Sequence, residues 1–171
     1  QKINILESKL THKTFVPKKY SKECTLDWLN ENETHFCDID QWINTIKFED
    51  YLHHVYQNNL EQGTITLLEE NLHTLPIKTN KKNRSDYYVF HNNNWITWNS
   101  DKIQLFVKNC TLQFLHAFSL WSLKNQSSFI ENENKEQVYL LYYNRVLGPE
   151  KCDALYNNVR QFIYRNVFIN M

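Results

Sequence analysis

Glycine and alanine occur only twice each in these 171 residues, proline three times, arginine four times and methionine once. Two isolated glycines, Gly63 and Gly148, exclude a Gly-rich phosphate loop, and no G-x-S-x-G nucleophile elbow is present. The scarcity of arginine leaves no helix with a run of base-edge readers. No stretch reads as a transmembrane span or a secretory leader, and no internal repeat or long linker is visible. The scarce residue types have GC-rich codons. Asparagine, at 22 residues, and lysine, at 15, have AT-rich ones. The composition therefore points to an AT-rich genome, and the abundance of Asn is not itself a functional signal.

What is present suffices for a folded domain. Apolar residues make up 42% of the chain and aromatics 15%, enough to fill a core at this length. Of the four cysteines, Cys110 and Cys152 fall on apolar helical stripes. Buried free thiols fit that placement, which favours a reducing compartment, nucleus or cytoplasm. Sequons occur at Asn32, Asn83, Asn109 and Asn125, but Asn109 falls in a helix that reads as buried all round, where a glycan would not fit. Net charge is zero yet segregated. Residues 1–24 carry six Lys against two Glu, residues 25–76 carry ten acids against Lys47, and residues 77–91 are basic again. A basic arm, an acidic body and a basic loop suit an anionic partner.

Hydrophobic periodicity predicts a mainly α protein, a helical bundle with one β-hairpin at about 86–98. Residues 1–20 read as a basic arm and 21–171 as a single helical domain, divided into 21–98 and a three-helix half at 99–171. Helices are expected over 21–31, from a cap at Asp38 or Asp40, and through Phe48–Tyr56, a unit that Gly63 ends. Thr66-Leu67-Leu68-Glu69 has capping-box form, and the helix it opens closes at Pro76. Lys78 to Arg84 reads as a polar loop. Tyr87–Phe90 and Trp95–Trp98 read as strands around an Asn-rich turn, since Asn tolerates left-handed backbone. Ser100 is the expected cap of a long helix to about Lys124. Its stripe of Ile103, Phe106, Val107, Cys110, Phe114 and Phe118 is accompanied by off-stripe leucines, the pattern of a central helix. Residues 125–134 read as a polar loop. Gly148-Pro149 separates two last helices, 135–147 and 149–168, expected to form an antiparallel hairpin.

No catalytic residues and no cofactor are assigned. Cys24, His35 and Cys37, with His12, lack the short ligand pairs of a zinc site, so no metal site is assigned either. His53 and His54 are neighbours and are expected on different sides of a helix. Lys78, Lys81, Lys82 and Arg84 immediately precede Tyr87 and Tyr88. With Lys18 and Lys19 of the arm they are candidates for phosphate contact, because cations neutralise phosphates and aromatics stack on bases. Five Trp exceed routine core demand. Trp28, Trp95 and Trp98 are therefore candidate partner anchors.

From Thr25 to Phe90 the order of features resembles an RFX-type winged helix. The matching pieces are Thr25-Leu26-Asp27-Trp28-Leu29-Asn30-Glu31-Asn32, Tyr51-Leu52-His53-His54, Leu60-Glu61 and Tyr87-Tyr88-Val89-Phe90. Related segments occur in viral primase–helicases, and the hairpin followed by a helix is similar to the region before the motor domain of the poxvirus type. The resemblance implies a winged-helix-like N-terminal half. The family's third helix and wing are basic, whereas the corresponding segment here, Thr64 to Leu72, is acidic and would repel DNA phosphates. The expectation is a non-enzymatic protein–protein interaction domain of an intracellular, nuclear or replication-associated assembly, with no membrane and no small-molecule substrate. The alternative is a nucleic-acid-binding module that uses the arm and the 78–84 loop.

Overall fold

The computed structural model describes residues 22–81, 83–130, 133–149 and 152–169. The chain is mainly α, with a small antiparallel sheet in the order β1-β2-β3. The N-terminal arm, with Lys18 and Lys19, lies outside the described residues, as do Lys82 and the side chain of Arg84.

The first helix, α1 (Lys22–Asn32), buries Leu29 completely. Helix α2 (Ile39–Thr45) starts at Asp38, whose N–H donates to the Gln41 side chain at 3.1 Å, as in a capping box. A 3-10 turn (Phe48–Tyr51) leads into α3 (Leu52–Gln57). Helix α4 (Leu60–Glu70) begins earlier than the Thr66 signal suggests. Asn59 caps it, its side chain accepting from the Gln62 N–H at 2.8 Å. Gly63 therefore lies inside α4 rather than ending a unit. The reason is contact: a Cβ on Gly63 would sit 2.3 Å from Val55 Cγ2, so the glycine lets α3 and α4 approach.

The stretch read as a polar loop is mostly strand. β1 (Ile77–Asn80) pairs with β2 (Asn83–His91), which pairs with β3 (Asn94–Trp98). Asn92 and Asn93 both have positive φ, 49° and 61°, the two-residue turn that the right-handed twist of a hairpin favours. Tyr87 to Phe90 are all buried because the sheet is covered on both faces. Tyr87, Val89 and Trp98 face the main core with Ile77, while Tyr88, Phe90 and Trp95 pack with Leu29 of α1 and with Ile169.

Each edge of this sheet is paired at one residue. At β3 the Asn30 side chain behaves like one residue of a further strand. Its Oδ1 accepts from the Trp95 N–H at 2.6 Å and its Nδ2 donates to the Trp95 carbonyl at 3.1 Å. At β1 the Thr79 N–H donates to the Val167 carbonyl at 2.8 Å, and the Ile169 N–H donates to the Thr79 carbonyl at 3.0 Å. Unpaired edges invite association with other strands, so both contacts protect the fold.

Helix α5 (Ser100–Ile130) runs through most of the expected polar loop. Its cap is Asn99 rather than Ser100: Asn99 Oδ1 accepts from the Lys102 N–H at 3.0 Å. Helix α6 (Glu133–Leu147) packs against α5 and α3, and Gly148, at φ 74°, ends it. Helix α7 (Asp153–Asn166) packs on α4, α5 and β1. The expected hairpin of the last two helices is thus replaced by an α5–α6 pair. Tyr56, Trp121 and Tyr142 explain the exchange. Tyr56 of α3 stacks on Tyr142 of α6 at 4.0 Å and meets Trp121 of α5 at 5.2 Å, holding α6 on that side. One core cluster runs from Cys37 to Val167 and includes side chains of both halves of the chain.

Candidate functional site

The three tryptophans have different fates. Trp95 is 1% exposed and Trp98 6%, so both rings are core rather than surface anchors. The Trp95 indole N–H donates to the Glu33 carbonyl at 2.9 Å. Trp28 is half-buried against the α1 side of the sheet. The basic residues are dispersed as well. Lys78 Nζ reaches Glu33 at 3.0 Å, which neutralises it locally. Lys81 is exposed and lies 4.6 Å above the Phe168 ring.

Next to Lys81 lies a groove that the sequence did not suggest. A 300 Å³ hollow is lined by Tyr87, Asn157, Arg160, Gln161, Tyr164 and Arg165. The Tyr164 hydroxyl donates to the Lys81 carbonyl at 3.1 Å, tying the β1–β2 turn to α7. The Arg160 guanidinium lies 5.9 Å from the Tyr87 ring centre. The Tyr87 hydroxyl beside it raises the Arg160 pKa above its usual value. Arg160 and Arg165 were hidden in the sequence because they stand singly, five residues apart, on an amphipathic helix.

A second surface comes from the outer side of α5. Its off-stripe leucines are not core: Leu105 is 56% exposed, Leu112 51% and Leu123 64%. At 100° per residue these three lie within a narrow sector opposite the buried stripe. Helix α5 is therefore not buried all round, and Asn109 is half-exposed. Helix α6 adds Leu140, Leu141, Tyr143 and Leu147, all 39% exposed or more. Each set of leucines borders a groove, one of 560 Å³ with Leu105 and Leu112, the other of 360 Å³ with Leu141 and Pro149. Buried Leu155 of α7 forms part of the floor of both, the first groove lying between α5 and α7 and the second between α6 and the start of α4. Leucine spacing along α5 was the available signal, but it fits a central helix equally well.

Among the described residues, no three His, Cys, Asp or Glu side chains converge as a metal site. His53 and His54 do not diverge; their ring centres are 3.7 Å apart. His35 Nδ1 lies 3.1 Å from the Cys37 carbonyl, and burial lowers its pKa. Cys152 is exposed just before α7 rather than on a buried stripe, whereas Cys110 is fully buried. Burial pushes the Cys110 thiol up to about 12, and burial also raises Tyr56, Tyr87 and Tyr88. A folded pKa above the unfolded one means these groups support the fold below about pH 9, the ordinary thiol value. That support is lost as pH climbs from about 9 toward 12. Urea midpoints are expected to fall progressively above about pH 9. Under native conditions a thiol reagent is expected to modify Cys152 rapidly and Cys110 only after unfolding. Equal rates would contradict this burial.

No protein-family model, no curated protein and no solved structure matches this chain.

Proposed function

We propose that this chain is a non-enzymatic protein-interaction domain of a larger intracellular assembly, and that the α5–α6 surface receives an amphipathic helix of a protein partner. The observation that carries this reading is the row Leu105, Leu112 and Leu123, more than half exposed on the face of α5 opposite its core stripe. Burying one leucine is worth roughly 1.5–3 kcal/mol. A row of them left in water is a standing incentive for association, and exposed apolar clusters mark binding surfaces. The spacing suits a helix, whose side chains repeat at the same interval. Asp101 and Lys108 on one groove and Glu61 and Arg145 on the other provide a rim of both signs that can fix orientation.

An enzymatic reading has less support. The cleft between α2, the sheet and α5 contains Asp40, His91 and Lys102, but no hydroxyl or thiol nucleophile lines it. The winged-helix resemblance of residues 25–90 is the reason to look for the partner among replication or other nuclear proteins. Helix α4, which stands in the place of that family's third helix, is packed by α3, α6 and α7 and exposes Glu69 and Glu70.

Photo-crosslinking residues placed at 105, 112 and 123 are expected to capture the same protein, whereas one at exposed Glu136 does not. The purified partner should then bind Leu105→Lys/Leu112→Glu at least about tenfold more weakly, with the Tm changed by no more than a few degrees. Binding unchanged by the double substitution would refute the surface.

A further inference from the structure

We propose that the groove between α7 and the β1–β2 turn binds the phosphodiester backbone of single-stranded nucleic acid, with Arg160, Arg165 and Lys81 as its cations. The site is independent of the leucine surface and lies on different residues. Three features lead to this ligand. The lining residues include two guanidinium groups, two side-chain amides and no carboxylate. Lys81 adds a third cation beside the groove, since the hydroxyl of Tyr164, which lines it, holds the Lys81 backbone. Guanidinium groups match phosphate oxygens two at a time, and Asn157 and Gln161 can donate further hydrogen bonds. At 300 Å³ the hollow is at the low end for a ligand pocket. It fits one phosphodiester unit of a longer strand better than a large free cofactor.

The aromatic residues favour a single strand over a duplex. Tyr164 and Phe168 are half-buried, meet edge to face at 6.1 Å, and Lys81 lies over Phe168. Tyr164 lines the groove beside Arg160 and Arg165 and can receive an unstacked base, which a duplex does not offer. Base edges have no run of readers here, so binding is expected to be indifferent to sequence. Arg160 stands at the centre of the lining, its guanidinium beside the Tyr87 ring. Arg165 and Lys81 are exposed and can be changed without disturbing the core.

The test is fluorescence anisotropy of the full chain with labelled mixed-sequence single-stranded DNA and RNA over a salt series. Duplex DNA and anionic lipid vesicles run in parallel. Single strands are expected to bind with affinity that falls as salt rises. Arg165→Gln/Lys81→Gln should weaken binding roughly tenfold at low salt and reduce the log–log salt slope by about 1.4, or ~0.7 for each lost phosphate contact. Its Tm should match that of the unmodified chain. No binding at low salt, an unaltered slope in the double variant, or a preference for vesicles over single strands would each overturn the proposal. Arg160→Lys supplies a second check: it keeps the charge, so the salt slope should hold while affinity drops through loss of the forked contact. An unchanged affinity would remove Arg160 from the site.

Discussion

Trp95→Ala is expected to destabilise the fold by about 3–5 kcal/mol, the range for emptying a buried tryptophan site. Three losses combine in this residue. The ring is 1% exposed and meets Phe90 edge-on at 5.5 Å, so its removal empties the centre of the smaller core. The indole N–H leaves the Glu33 carbonyl without its donor. The backbone of the same residue donates one bond to the Asn30 side chain and accepts the other, so loosening there frees the β3 edge. Trp95→Phe keeps most of the ring and should cost roughly 1–2 kcal/mol, the indole bond plus a small void. Urea unfolding with tryptophan-independent detection, such as far-ultraviolet circular dichroism, measures both. A partner anchor would behave oppositely, with stability unchanged and affinity lost.

Gly63→Val should cost more than about 3 kcal/mol, and Gly63→Ala about 1–3 kcal/mol, the range for overpacking a dense core. In an open helix Gly→Ala would stabilise by nearly 1 kcal/mol. The sign reverses here because the new Cβ would stand 2.3 Å from Val55 Cγ2. Val55 is fully buried and β-branched, so it has no alternative rotamer to retreat into. Cutting back the neighbour should relieve the clash. In a double-mutant cycle, Val55→Ala with Gly63→Ala is expected to be less destabilising than the sum of the two single changes, by at least about 1 kcal/mol. Strict additivity would show that the α3–α4 contact is looser than the geometry implies.

These two residues also show where the sequence is readable and where it is not. Local chemistry was legible. The Asn92-Asn93 turn, the Gly148 stop, the Asp38 start and the buried stripe of α5 each depend on residues near one another in the chain. Gly63 was misjudged because its role depends on Val55 across a helix–helix contact. Without that contact, a glycine in a polar stretch reads as an end. Asparagine caused a subtler difficulty. Its abundance tracks codon usage, which hides the few positions where the amide has a structural role: Asn30 at the sheet edge, Asn59 and Asn99 at helix starts. The strand at Ile77–Asn80 was missed because four residues with one lysine and one asparagine have weak strand character. β2 and the C-terminal chain supply the pairing that makes it a strand.

The candidate surfaces were less legible than the fold. Leu105 and Leu112 are indistinguishable from core leucines until α6 is seen to pack against a different side of α5. The basic loop was visible as a charge cluster, but its division was not. Lys78 turns inward to Glu33, and Lys81 lies over the ring of Phe168, some eighty residues away. Charge and apolar content can be counted along a chain; which of them share a face depends on long-range packing.

The bonds between Thr79 and residues 167–169 have a consequence for biosynthesis. Thr79 and Val167 are 88 positions apart. At about 5–20 residues per second, β1 leaves the ribosome roughly 4–18 s before the segment that closes its edge. During that interval the nascent sheet presents open hydrogen-bonding groups to any neighbouring strand. Chains released before Val167 keep that opening permanently, so truncated products should be the aggregating species. Faster elongation through α5–α7 should raise the yield of folded protein.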